Sequence, residues 1–163
     1  GMTSLIVDLR NNPGGLLDSV VDTLRQILPE GMIVYTQTKD GTKKEYTCDG
    51  ETPISIPLVV LVNENSASAS EIFAGAVHDH EIATLVGTKT FGKGIVQQTF
   101  PFTDGSAIKM TIAKYYTPNG VCIHGEGITP DVEIELPDDA TEDVQLNKAI
   151  EVAEEKVSGT TAK

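Results

Sequence analysis

Apolar positions along the chain follow two rhythms, short unbroken runs and a 3.6-residue period, and the two alternate. Residues 5–9 form the first run, Leu5-Ile6-Val7-Asp8-Leu9, which predicts a buried strand. After the turn Arg10-Asn11-Asn12-Pro13-Gly14-Gly15, apolar residues recur at helical spacing from Leu16 and Leu17 through Val20, Val21 and Leu24 to Ile27 and Leu28. Pro29-Glu30-Gly31 stops that helix. Residues 32–38 and 43–48 read as a hairpin around Asp40-Gly41. A second apolar run, 56–63, leads through Glu64-Asn65 into a helix of small residues over 68–78. Residues 82–87 are a short strand, and 95–100 and 107–116 are extended about the turn Asp104-Gly105. A last strand is expected over 131–136 and a closing helix over 142–156.

Two β-turn-α units, 5–28 and 59–86, dominate this pattern. Buried strands alternating with helices predict one layered α/β domain over residues 1–163. The longest apolar run, 56–62, falls far short of the roughly 20 residues a bilayer span requires, so no membrane span is expected. The formal net charge is −12, which argues against a nucleic-acid partner. Much of it sits at 133–155, nine acidic residues against Lys148, so 137–163 reads as an acidic, solvated helix and tail. Cys48 and Cys122 lie 74 positions apart and fix no pairing. His78-Asp79-His80 is too weak a pattern for a metal site, and neither metal nor cofactor is expected. Gly1-Met2 reads as a cloning remnant and a buried strand follows almost at once, so the natural polypeptide is expected to continue upstream.

Each strand-to-helix turn carries groups suited to chemistry. Gly14 and Gly15 follow the carboxyl end of a strand, the edge where open α/β sheets bind ligands. Glycines there let a backbone N–H approach a carbonyl with no side chain in the way. Ser68 sits at a helix N-terminus, where free N–H groups and the helix dipole would stabilise an oxyanion. The same serine, with Glu71 three residues on, fits a capping box, and on local sequence alone that structural reading is the stronger.

A nucleophilic serine needs a base. His78 and His80 lie at the far end of the predicted helix, about 15 Å from Ser68 at 1.5 Å per residue. His124 falls in a loop that sequence does not position. Lys93, framed by Phe91-Gly92 and Gly94, is the other candidate, although most lone lysines are surface lysines. Its glycine and phenylalanine neighbours predict a partly dry setting. A lysine that serves as base must be neutral near pH 7, which asks for roughly 4 kcal/mol of desolvation.

These residues resemble a known family. Residues 62–76, which include Asn65-Ser66-Ala67-Ser68-Ala69-Ser70-Glu71, are similar to the nucleophile segment of the C-terminal processing (tail-specific) serine peptidases. Residues 87–98, with Thr90-Phe91-Gly92-Lys93-Gly94, resemble their lysine segment, and the 25-residue separation of Ser68 and Lys93 is the family's. Leu9-Arg10-Asn11-Asn12-Pro13-Gly14-Gly15 resembles the oxyanion strand-turn. Tyr115-Tyr116-Thr117-Pro118-Asn119-Gly120 and 125–131 resemble the later signature, so the likeness covers roughly residues 5–135.

The resemblance implies a crotonase/ClpP-like layered fold and a serine endopeptidase that cleaves proteins near their C-terminus through an acyl-enzyme. Ser68 would be the nucleophile and Lys93 the general base, then the general acid. The N–H of Ala69, with that of Gly14 or Gly15, would form the oxyanion hole. Gln97 matches a glutamine proposed to assist the dyad; on an extended strand it would lie about 13 Å from Lys93, so assistance requires a bend near Gly94. Asp79 matches an aspartate sometimes implicated, but 11 helical residues separate it from Ser68 by about 16 Å, and it reads as structural.

Expected substrates are proteins or peptides with apolar C-termini, and oligomerisation is left open. Action outside the cytoplasm, in a bacterial periplasm or at a membrane-anchored cell surface, follows from the family alone. The family's PDZ domain and a strand-forming neighbour precede Leu5 and are absent here, so the isolated chain is expected to be poorly gated or inactive. Asn65 replaces a usual glycine, and Val121-Cys122 a usual polar pair. Two rivals are a non-catalytic, retinoid-binding relative, against which both Ser68 and Lys93 speak, and a crotonase-type acyl-CoA enzyme, for which no basic phosphate-binding cluster is evident.

Overall fold

The two strand-turn-helix units form the frame of the molecule in a computed structural model, which describes residues 1–137 and 139–161. The first is β1 (Leu5–Asp8) and α1 (Leu17–Arg25); the second is β4 (Leu58–Val62) and α2 (Ala69–Asp79). With β5 (Ala83–Gly87) and β8 (Val132–Glu133) the strands make an all-parallel sheet in the order β1-β4-β5-β8. Between the two units run β2 (Gly31–Thr38) and β3 (Lys43–Cys48). These pair with β7 (Ala107–Tyr116) and β6 (Ile95–Pro101) in a second, antiparallel sheet ordered β3-β2-β7-β6. α3 (Val144–Thr161) closes the described chain.

Period-two alternation along β4 explains how the parallel sheet is covered on both faces. Leu58, Val60 and Val62 join the main core with Val21, Leu24 and Leu28 on the α1 side and Ile72, Phe73 and Val77 of α2. Val59 and Leu61 point the other way, against Ala149, Val152 and Ala153 of α3. Residues 69–77 of α2 are all buried, the state expected of a helix with no polar stripe.

Several predicted boundaries move. The last strand is two residues long, not 131–136, because Pro130 precedes it and Asp131 turns its carboxylate inward to accept the Leu85 N–H at 2.7 Å. The first helix ends at Arg25, since the chain tightens before Pro29, with Ile27 N–H bonding Leu24 O. The closing helix starts at Val144 instead of 142, where the Asp143 carboxylate accepts the Leu146 N–H. Within the predicted acidic tail, residues 138, 162 and 163 lie outside the described residues. Cys48 and Cys122 are both free.

Arg10 fastens α3 to the end of β1. Its guanidinium donates two bonds of 2.8 Å to Asp143, further bonds to Asp8, and one of 3.2 Å to Gln145. Burial raises the Asp8 carboxyl, but the Arg10 bonds outweigh it, and bonding to Arg10 likewise holds Asp143 below the usual carboxylate range. The stabilisation from these depressed groups is present above ordinary carboxylate values near 4 and lost as pH falls through the lowered ones. Arg10→Met is therefore expected to cost roughly 1–3 kcal/mol at pH 7, a gap from wild type that narrows as pH drops below about 4. Urea midpoints across that range check it.

Candidate active site

β1 and β4 are parallel neighbours in the register Asp8↔Leu61, so the turns that follow them emerge side by side at the carboxyl edge of the sheet. Hydrogen bonds knit the two turns. Asn11 N–H donates to Asn63 Oδ1 at 2.9 Å, and the amides of Asn63 and Asn65 donate back to Asn11 Oδ1. The Asn12 carbonyl accepts both the Ala67 N–H and the Ser70 hydroxyl at 3.0 Å. β5 brings a third turn to the same edge: Thr88 N–H bonds Val62 O, and Phe91 N–H bonds Ser66 O. The serine turn thus lies between the glycine turn and the lysine loop.

Ser68 occupies the N-cap of α2 with φ 58° and ψ −114°, a conformation that costs an L-residue roughly 1–3 kcal/mol. Its side chain makes no capping bond to the helix. The Glu71 carboxylate instead accepts the Ser68 N–H at 2.9 Å. The serine side chain also faces the Glu71 N–H, so the expected capping box is present, although that approach falls short of a normal N-cap hydrogen bond. Ser68 is half-buried.

Gly14 faces this serine at close quarters. With φ +97°, a Cβ built there would lie 2.6 Å from Ala67 O, 2.8 Å from Ala69 N and 2.9 Å from Ser68 Cβ. Its own N–H is taken by Asn12 Oδ1 at 2.9 Å. Among the described residues the N–H groups of Gly15 and Ala69 have no hydrogen-bond partner. Gly14→Ala is expected to destabilise the chain by roughly 2–4 kcal/mol, through strain and overpacking. Gly15→Ala, whose added Cβ would meet nothing within 4 Å, should cost under about 1 kcal/mol. Thermal or urea denaturation of the pair checks both.

The Lys93 backbone is tied to that of Ser68 through Glu71. Its N–H donates at 2.8 Å to Glu71 Oε2, the oxygen that also accepts the Ser68 N–H. The expectation of a partly dry lysine fails, because Lys93 is exposed. Its flanking glycines answer to close backbone packing against 123–127: a Cβ on Gly94 would meet His124 N at 2.3 Å, and one on Gly92 would meet Gly127 N at 3.2 Å. His124 accordingly sits beside the lysine loop, and it too is exposed. Gln97 lies on β6 beyond an irregularity in pairing at Val96/Gln97, exposed, with no hydrogen bond to Ser68 or Lys93.

The other sequence candidates have structural partners. Asp79 ends α2 opposite Ser68 and accepts the Asn119 N–H at 2.8 Å. His78 pairs with Asp131, and His80 Nε2 lies 2.7 Å from Met32 O. Among the described residues no cluster of His, Cys, Asp or Glu is disposed to hold a metal ion, and no helix is long and apolar enough to cross a membrane.

Sequence reasoning missed the reach of Glu71 and its partner Thr90. Glu71 Oε1 accepts the Thr90 hydroxyl at 2.7 Å and the Gly92 N–H at 2.6 Å. The available signal was a single carboxylate inside the all-small and apolar run 69–77. Beside the glycine turn a recess of about 290 Å³ opens, lined by Gly14, Gly15, Leu16, Val20, Ala69 and Phe73 among others.

Comparison with known proteins matches residues 1–134 to the model of peptidase family S41. The carboxyl-terminal-processing protease of Synechocystis sp. is 53% identical over 137 residues, covering 84% of this chain and 32% of that protein. A probable CtpA-like serine protease of Staphylococcus epidermidis is 47% identical over 140 residues, covering 84% of this chain and 28% of its own. Among solved structures, the photosystem II D1 C-terminal processing protease superposes with a TM-score of 0.79 at 38% identity, over 94% of this chain and 39% of that one. The chain thus spans well under half the length of each.

Proposed function

The chain belongs to peptidase family S41, and we propose that it is the core of a serine endopeptidase that cuts proteins near their C-terminus with a Ser68–Lys93 dyad. The observation that carries this reading is the strained Ser68 at a helix N-terminus, between two unpaired N–H groups and the lysine loop. Ser68 Oγ attacks the scissile carbonyl carbon while Lys93 Nζ takes its proton. The oxyanion is held by the N–H of Ala69 and that of Gly15, because Gly14 N–H is engaged by Asn12. Collapse of the tetrahedral intermediate expels the amine, which receives the proton from Lys93, and water then hydrolyses the acyl-serine.

An exposed lysine is a poor base until something covers it, so bound substrate supplies the desolvation. The recess beside the glycine turn suits an apolar substrate side chain, in line with substrates that have apolar C-termini. The pattern of β-turn-α units supports a crotonase/ClpP-like fold, and the greater length of the relatives supports a core working within a larger protein.

A fluorophosphonate probe followed by peptide mapping tests the assignment. Phosphonylation is expected at Ser68 and to be lost in Lys93→Ala; label on any other serine, or equal labelling in the variant, sinks it.

A further inference from the structure

Glu71 is fully buried, and among the described residues no cation pairs with it. A carboxylate in such a place is tolerable only when hydrogen bonds replace its water. Four do so, two on each oxygen. Oε2 accepts the N–H groups of Ser68 and Lys93 at 2.9 and 2.8 Å; Oε1 accepts the Gly92 N–H at 2.6 Å and the Thr90 hydroxyl at 2.7 Å. All four contacts are donors, which suits an acceptor-only group and not an amide. Thr90 Oγ1 in turn accepts the Ile128 N–H at 2.7 Å, which anchors the far side of the clamp to the 123–128 segment.

We propose that Glu71 is a positioning residue: one carboxylate clamps the Ser68 amide and the lysine-loop amides to each other and so sets the separation of nucleophile and base. The catalytic half of this inference rests on the dyad reading; the clamp itself does not. A capping role alone would need only the Ser68 N–H, and three of the four donors lie 19 to 22 residues further along the chain. Because the side chain touches neither substrate nor reacting atoms, it acts through Ser68 and Lys93. A misplacement of about 1 Å in such a pair is enough to cost on the order of 100-fold in rate.

The test uses Glu71→Gln, Thr90→Val and Thr90→Ser in the intact chain, read by amide NMR and by the rate of Ser68 phosphonylation. Glu71→Gln is expected to move the Ser68, Gly92 and Lys93 amide protons together and to speed their solvent exchange at least about tenfold, since each loses a charge-assisted bond. Amides inside β4 should stay put. Phosphonylation should slow about 100-fold. Thr90→Val, which keeps the carboxylate, should disturb the Gly92 amide, on the shared Oε1, more than the Lys93 amide on Oε2. Thr90→Ser should restore both shifts and rate.

If the Gly92 and Lys93 amides keep wild-type shifts and exchange in Glu71→Gln, the clamp is wrong whatever the chemistry. Moved amides with an undiminished rate would reduce Glu71 to a structural residue and overturn the proposal. A wild type that never reacts at Ser68 overturns the dyad reading instead and removes the catalytic meaning of the clamp. Should Glu71→Gln fail to fold, the Thr90 pair carries the test: equal reactivity of the valine and serine variants would overturn the clamp.

Discussion

With the region upstream of Leu5 restored, Ser68→Ala is expected to lower turnover of an apolar-tailed peptide at least about a thousandfold while the denaturation midpoint hardly moves. The two halves of that result separate nucleophile from cap. Replacing an N-cap serine that bonds its helix costs about 1 kcal/mol; the Ser68 side chain faces the Glu71 N–H without a normal N-cap hydrogen bond, so alanine should cost less than that. What remains in the alanine variant is the backbone strain, with φ 58° and ψ −114° still imposed on an L-residue.

Ser68→Gly adds a sharper comparison. Glycine adopts positive φ without the Cβ penalty, so this variant should be inactive yet more stable than Ser68→Ala by about 1 kcal/mol. A position whose natural residue is less stable than a glycine replacement is one where the fold gives up stability to hold a hydroxyl in place. Urea denaturation of the three proteins, set beside their turnover, decides the matter. Equal stability of the glycine and alanine variants would remove the strain argument, and retained turnover in either would remove the nucleophile.

What was legible in the sequence follows from the range of each interaction. The runs at 5–9 and 56–63 read directly as strands because burial on both faces leaves no polar alternation, and Asp40-Gly41 announced its hairpin through local turn chemistry. The glycine turn and the serine turn were recognisable as special for the same local reason. The antiparallel pairing of β2 with β7, across some eighty residues, had no such signal. Nor did the environment of Lys93. Its flanking glycines suggested a sheltered amine, whereas they serve backbone contacts with 123–127, a segment whose position depends on the whole fold. Glu71 carries more than its local pattern shows: Ser68-x-x-Glu71 fits the capping box it forms, and nothing within three residues hints at Thr90, Gly92 and Lys93.

Lys93→Arg is expected to be as inactive as Lys93→Ala, each at least about a thousandfold below wild type. The reasoning begins with what Lys93 does not do. Its ammonium makes no ion pair among the described residues, and the side chain is exposed. Neither substitution removes an ion pair or a buried side chain, so both variants should keep the wild-type stability within about 0.5 kcal/mol. The tie between this loop and Ser68 runs through backbone N–H groups on Glu71, which either side chain leaves intact. Any large loss of activity therefore reports on the amine itself. Arginine keeps a positive charge and similar reach, but its guanidinium does not give up a proton at accessible pH and cannot accept one from Ser68. A lysine retained as a cationic anchor for a substrate carboxylate would tolerate arginine; a lysine that shuttles a proton would not. Turnover in Lys93→Arg above about a tenth of wild type would exclude the dyad and direct the search for a base to His124, which already stands beside Gly94.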